Sequence, residues 1–134
     1  MEVGVLLGPG QKVLYWHNPE GRSEAYLPDS RSLWEVMWEN RHRLSGFAHS
    51  HPGSGPVSPS WEDVTTFAAI EAALGRRLNW WIVNKYHISL VTWKGPDKCN
   101  YQVINLSENG LKSDDCLDWV RDLRIASYGR HDDA

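Results

Sequence analysis

The chain has 134 residues, 41% hydrophobic and 23% charged, with a formal net charge of -3; this is the make-up of one soluble globular domain with its own core. The slight negative charge argues against a general nucleic-acid binder and against a membrane surface, and no apolar run reaches the length of a membrane span. The N-terminus shows no basic segment followed by an apolar run, and Cys99 and Cys116 are too few and too far apart for a disulfide framework or a Cys-type zinc site. Reduced thiols in a cytoplasmic protein are therefore expected.

Residues 2–8 read as a buried strand closed by Gly8-Pro9-Gly10, and residues 12–16 as its hairpin partner. A turn at residues 17–21 leads to a short extended segment over 23–27. Leu33, Trp34, Met37, Trp38 and Leu44 recur at helical spacing and predict a helix over 31–44 after an Asp29-Ser30 cap. A strand follows over 45–51, then a loop from 52 to 59. Val64, Phe67, Ile70 and Leu74 place a second helix over 60–74, stopped at Gly75. Strands are expected over 78–83, 87–93 and 101–106, and a last helix over 113–125. The sequence predicts one domain over 1–126, an α/β fold with a mixed sheet flanked by helices, and a disordered tail over 127–134. Most of the eight tryptophans are expected in the core or lining a groove.

The chemistry concentrates in Ala48-His49-Ser50-His51-Pro52, the glycine-rich loop after it, and Ser60-Trp61-Glu62-Asp63. Side chains two apart on a strand share a face, so His49 and His51 project together. Two imidazoles and a carboxylate suit zinc, and three protein ligands leave a fourth position for chemistry. Asp63, in the first turn of the second helix, is the natural third ligand. The alternative is that Ser60 is an N-cap with an acidic residue favoured at the helix start. His-x-His followed at this distance by Ser-x-x-Asp is hard to obtain by accident.

These residues, His49-Ser50-His51-Pro52 and then Pro59-Ser60-Trp61-Glu62-Asp63, resemble the JAMM motif of the MPN-domain (JAB or Mov34) zinc metalloproteases. Val5-Leu6-Leu7-Gly8, Asn18 and Gly46-Phe47 extend the resemblance over about residues 2–106. It implies an MPN (cytidine-deaminase-like) domain of the minimal prokaryotic type. It also implies zinc held by His49, His51 and Asp63, with Ser60 hydrogen-bonding the oxyanion or the water. The implied activity is cleavage of isopeptide or peptide bonds after the C-terminal tail of a ubiquitin-like protein. That protein or its conjugates would be the partner. The rival expectations are an inactive MPN scaffold and a zinc amidase on small peptide conjugates.

The chain departs from the family pattern twice. Eleven residues, Pro52 to Glu62, separate His51 from Asp63, one more than the motif has. Glu62 stands at the strict spacing, but a glycine loop lengthens more easily than a helix changes register, which favours Asp63. The family's catalytic glutamate stands one position further from the first strand's glycine than Glu2 stands from Gly4. Glu2 is the expected base, through a bulge next to the glycine, with Glu24 as its rival.

Overall fold

The computed structural model describes residues 3–17, 31–106 and 118–129. Its elements run β1 (Gly4–Leu7), β2 (Val13–His17), α1 (Arg31–Glu39), β3 (Gly46–Ser50), α2 (Trp61–Leu74), β4 (Asn79–Val83), β5 (Ile88–Trp93), β6 (Tyr101–Asn105) and α3 (Asp118–Tyr128). The strands form a mixed sheet in the order β2-β1-β3-β4-β5-β6. β3 and β4 run parallel, and the other pairs are antiparallel. A parallel pair needs a crossover, and α2 supplies it. This is the α/β fold with a mixed sheet and flanking helices that the sequence predicts.

Strand alternation divides the apolar residues between two layers. Leu6, Phe47, Trp80, Ile82 and Val91 lie on one face, packed with Leu33 and Met37 of α1 and Phe67 and Leu74 of α2. Val5, Leu7, Ala48, Trp81, Val83 and Ile88 lie on the other, packed with Trp119, Val120 and Leu123 of α3. β1 and β3 are buried along their whole length because helices cover both faces. Gly46 permits the tightest approach. A Cβ there would stand inside van der Waals contact with the backbone oxygen of Asn79 at the start of β4.

Several expectations are corrected. α1 stops at Glu39 rather than running to 44: beyond it the Arg41 and Arg43 N–H groups donate three residues back, to Trp38 O and Asn40 O, in turns rather than in an α ladder. α3 runs on to Tyr128, so Ser127 and Tyr128 belong to a packed helix rather than to a tail. His17 is not in a turn; it ends β2, pairs with Gly4 and is buried. β1 has a register irregularity between Leu6 and Leu7 opposite β2, whereas the bulge expected between Glu2 and Gly4 falls at the edge of the described residues, with Glu2 outside them. The tryptophans also divide differently from expectation. Trp80, Trp81 and Trp119 are core residues, but Trp16, Trp34, Trp38 and Trp61 are exposed. The extended segment over 23–27, Asn18, Glu2, Glu24, Cys116, the start of the last helix at 113–117 and residues 130–134 lie outside the described residues. Among the described residues, no helix is long and apolar enough to cross a membrane.

Candidate metal centre

β3 carries the first histidine and the strand's exit carries the second. His49 is paired with Gly4 of β1 and Ile82 of β4, so its imidazole emerges on the α1/α2 face. His51 lies one residue past β3, but its N–H still donates to Val83 O at 2.8 Å, so the ladder holds it in register. The two rings therefore lie together, with centroids 4.8 Å apart. Phe47 stacks on the His49 ring at 6.1 Å and Phe67 of α2 meets it edge-on at 6.2 Å. His49 is thus set in an aromatic bed at the C-terminal end of a parallel strand.

The loop from Pro52 to Pro59 returns the chain over this strand end. Asn84 Nδ2 donates to Gly55 O and Ser89 Oγ donates to Val57 O, both at 2.8 Å, so the loop is pinned on each side of Pro56. α2 then starts with a capping box. Ser60 Oγ accepts the Asp63 N–H at 3.0 Å, and Asp63 Oδ2 accepts the Ser60 N–H at 2.9 Å. The N-cap weighed from the sequence is therefore present, and its Asp63 also belongs to a group that could hold a metal ion. The cap fixes the Asp63 carboxylate, and the carboxylate faces the histidines: Oδ2 lies 3.2 Å from His51 Nε2, and Oδ1 lies 3.8 Å from His49 Nε2. Glu62, at the family's strict spacing, is exposed and outside this group. The loop has absorbed the extra residue while the helix kept its register.

The electrostatics suit a cation. Burial, and then the neighbouring His51, pull His49 down from its ordinary value to about 4, against an opposing pull from Asp63. It is a neutral imidazole at physiological pH, the form that ligates metals. Burial alone would raise the Asp63 carboxyl. The His51 hydrogen bond, the His49 charge and the Ser60 N–H outweigh it and hold the group at about 2. The carboxylate is ionised, and it sits at the positive end of α2.

His49 Nδ1 and Nε2 are buried without a hydrogen-bond partner. Such an orphan is costly unless something occupies it. Tetrahedral zinc with N and O ligands separates neighbouring ligand atoms by about 3.3 Å, close to the 3.2 and 3.8 Å found here. One ligand atom from each of His49, His51 and Asp63 lies within 4.8 Å of the others. The donor set, the orphaned nitrogen and the spacing fit a metal ion.

The structure does not test the expected base, because Glu2 and Glu24 lie outside the described residues. It does reveal partners that the sequence reading left aside. Ser50, between the ligands, is 1% exposed, and its Oγ accepts the Val3 N–H at 2.8 Å and a bond from Ser127 Oγ at 2.8 Å. The Tyr128 hydroxyl donates to the His51 carbonyl. Glu71 is buried beneath the aromatic bed and accepts from Leu78 N, Trp80 Nε1, Arg77 and Tyr101. One signal for Glu71 was available: a carboxylate four residues after Phe67, on the helix's apolar side. No curated protein matches the chain. Residues 2–102, from the first strand through both histidines, the capping box and the start of β6, match the prokaryotic homologs of the JAB domain, and the chain belongs to that family.

Proposed function

We propose that the chain is a zinc-dependent peptidase that cleaves isopeptide or peptide bonds after the C-terminal tail of a ubiquitin-like protein. The observation that carries the metal reading is the buried His49 Nε2, which lacks a hydrogen-bond partner and faces the ionised Asp63 beside His51. His49, His51 and Asp63 would hold the ion. Bound zinc supplies Lewis acidity, polarising a carbonyl and making water a better nucleophile near neutral pH.

The other roles fall to the chain itself. Ser60 Oγ already accepts from Asp63 N, which leaves the hydroxyl proton to donate to a substrate carbonyl oxygen as it gains charge. Glu2 is assigned as general base, taking a proton from water and returning it to the leaving amine. Gly4, two residues further along the chain, pairs with His49 of β3, which supports a base drawn from the segment that leads into β1. The short Gly75–Leu78 connection between α2 and β4 supports a substrate held by few contacts, such as an extended tail bound by its backbone.

Emission spectroscopy on the purified protein should find zinc in wild type and little in the His49→Ala/His51→Ala double variant. Glu2→Gln should keep the metal and lose turnover of ubiquitin-like fusions. A metal-free wild type would turn the reading to an inactive scaffold. Turnover of small peptide amides without turnover of the fusions would turn it to a zinc amidase.

A further inference from the structure

The last turn of α3 touches the ligand strand from behind. α3 packs on the sheet face opposite the imidazoles, through Trp119, Val120 and Leu123. From there Ser127, buried, donates to Ser50 Oγ at 2.8 Å. Tyr128 OH donates to the carbonyl of His51 and lies 3.3 Å from the carbonyl of Val83. Arg124 Nε, one turn earlier, donates to Asn84 O at 2.8 Å, just past the end of β4. Three polar side chains of one helix end thus converge on the C-terminal ends of the parallel strands, where the two histidines leave the sheet.

The ladder holds the His51 N–H, on Val83 O, and leaves the His51 carbonyl to another partner. His51 is past the end of β3, and its carbonyl points out of the ladder. A ligand held on one side only would have to be ordered further when the metal binds, at an entropic cost. Tyr128 reduces that cost in advance. Ser50 extends the support to β1: its N–H donates to Val3 O at 3.0 Å, and its Oγ takes the Val3 N–H. The Ser127 hydroxyl therefore fixes the rotamer of the group that holds the residue just before Gly4. The family match ends at residue 102, so this helix lies outside the matched region.

We propose that the α3 end is a positioning element of the metal centre, with Tyr128 setting the His51 backbone and Ser127, through Ser50, setting the start of β1. The proposal rests on the reading of His49, His51 and Asp63 as a metal site. Residues that orient metal ligands from outside the coordination sphere change affinity by about 10–100-fold when removed.

The test measures the zinc Kd of the full chain by competition with a chromophoric chelator, and amide hydrogen exchange at Val3 and His51 in the metal-free protein. Tyr128→Phe removes one hydroxyl and should weaken zinc binding by about 10-fold and speed exchange at His51. Ser127→Ala should speed exchange at Val3, and Ser127→Thr should restore the protection. Leu123→Val serves as the control: it loosens the same helix without touching a hydroxyl, and should lower Tm while leaving the zinc Kd unchanged. An unchanged Kd in Tyr128→Phe overturns the proposal, as does an equal loss of affinity in Leu123→Val. A wild type that binds no zinc overturns the metal reading beneath it, and the exchange measurements still report whether the helix end holds the strand.

Discussion

Ser60 and Asp63 hold one another at the start of α2, each backbone N–H donating to the other's side chain, at 2.9 and 3.0 Å. The same carboxylate oxygen that closes the cap lies 3.2 Å from His51 Nε2. One short motif therefore starts the helix and aims the charge. Local structure and site chemistry depend on the same atoms.

This makes the two roles of Ser60 separable. Ser60→Ala removes the cap acceptor and should cost about 1 kcal/mol of stability, whereas glycine at an N-cap costs only a few tenths. Ser60→Gly should therefore unfold in denaturant near the wild-type midpoint yet lose turnover as Ser60→Ala does, because neither variant offers a hydroxyl to the substrate oxygen. Full activity in Ser60→Gly would remove the hydroxyl from the mechanism.

The legible part of this site is local in sequence. His49-x-His51 obeys strand parity, and Ser60-x-x-Asp63 obeys the geometry of a helix start, so both could be read without knowing what lies beside them. The choice of Asp63 over Glu62 was legible too, because the helix register constrains more than a loop rich in glycine. What stayed hidden is non-local. Ser50 reads as a spacer until β1 and α3 are packed beside it. Ser127 and Tyr128 read as tail because a serine and a tyrosine do not extend an apolar stripe. α1 looked longer than it is because Leu44 keeps helical spacing, yet Leu44 reaches the core from beyond the helix end. The exposed Trp34 and Trp38 share that helix with buried Leu33 and Met37, and composition alone could not separate them.

The metal-free protein should gain stability as pH rises from about 4 to 6.5. Burial and His51 hold folded His49 at about 4 against an ordinary 6.5. Between those values the unfolded chain carries the proton and the native one does not, so stability increases with pH across that window. The shift corresponds to about 3 kcal/mol at full effect. Asp63 adds a second window lower down: its folded value of about 2 against 3.8 gives stability present above 3.8 and lost as the carboxylate protonates. Urea denaturation of the chelator-treated protein across pH 4 to 7 measures the first window. His49→Gln, which cannot titrate, should flatten that rise and leave the loss below pH 4.

Gly46 should tolerate no side chain. The atoms that a Cβ would meet at Asn79 are mainly backbone, and they belong to the parallel pair that sets His49 against Ile82. Relief would require β3 and β4 to move apart. Gly46→Ala should cost about 3 kcal/mol, the upper end for overpacking, read as a lower denaturation midpoint. Gly55→Ala, at an open position of the pinned loop with nothing near its Cβ, should leave the midpoint within about 0.5 kcal/mol of wild type.

Glu71 presents the opposite case, a charge kept in the core by its partners. Its carboxylate accepts from Leu78 N at 2.7 Å, Trp80 Nε1 at 3.0 Å and Arg77 Nη1 at 3.1 Å, and from the Tyr101 hydroxyl. Burial, and then the bond to this carboxylate, push the Tyr101 phenol up from its ordinary value, so Tyr101 keeps its proton and remains the donor. The group joins the end of α2 to β4 and β6, and Trp80 carries the stack on Phe67, at 4.2 Å, that lies beneath His49. Glu71→Ala leaves these donors without their acceptor and opens a cavity, and should cost about 3–5 kcal/mol. Tyr101→Phe removes one donor from a carboxylate that retains three, and should cost about 1 kcal/mol. Because the two residues share one bond, the double variant should be less destabilised than the sum, by about 0.5–3 kcal/mol. Arg77 is half exposed, so water can replace it, and Arg77→Ala should cost less than Glu71→Ala. Denaturant unfolding of wild type, the two single variants and the double variant closes the cycle. Strict additivity of Glu71→Ala and Tyr101→Phe would show that the hydroxyl is held by something other than this carboxylate.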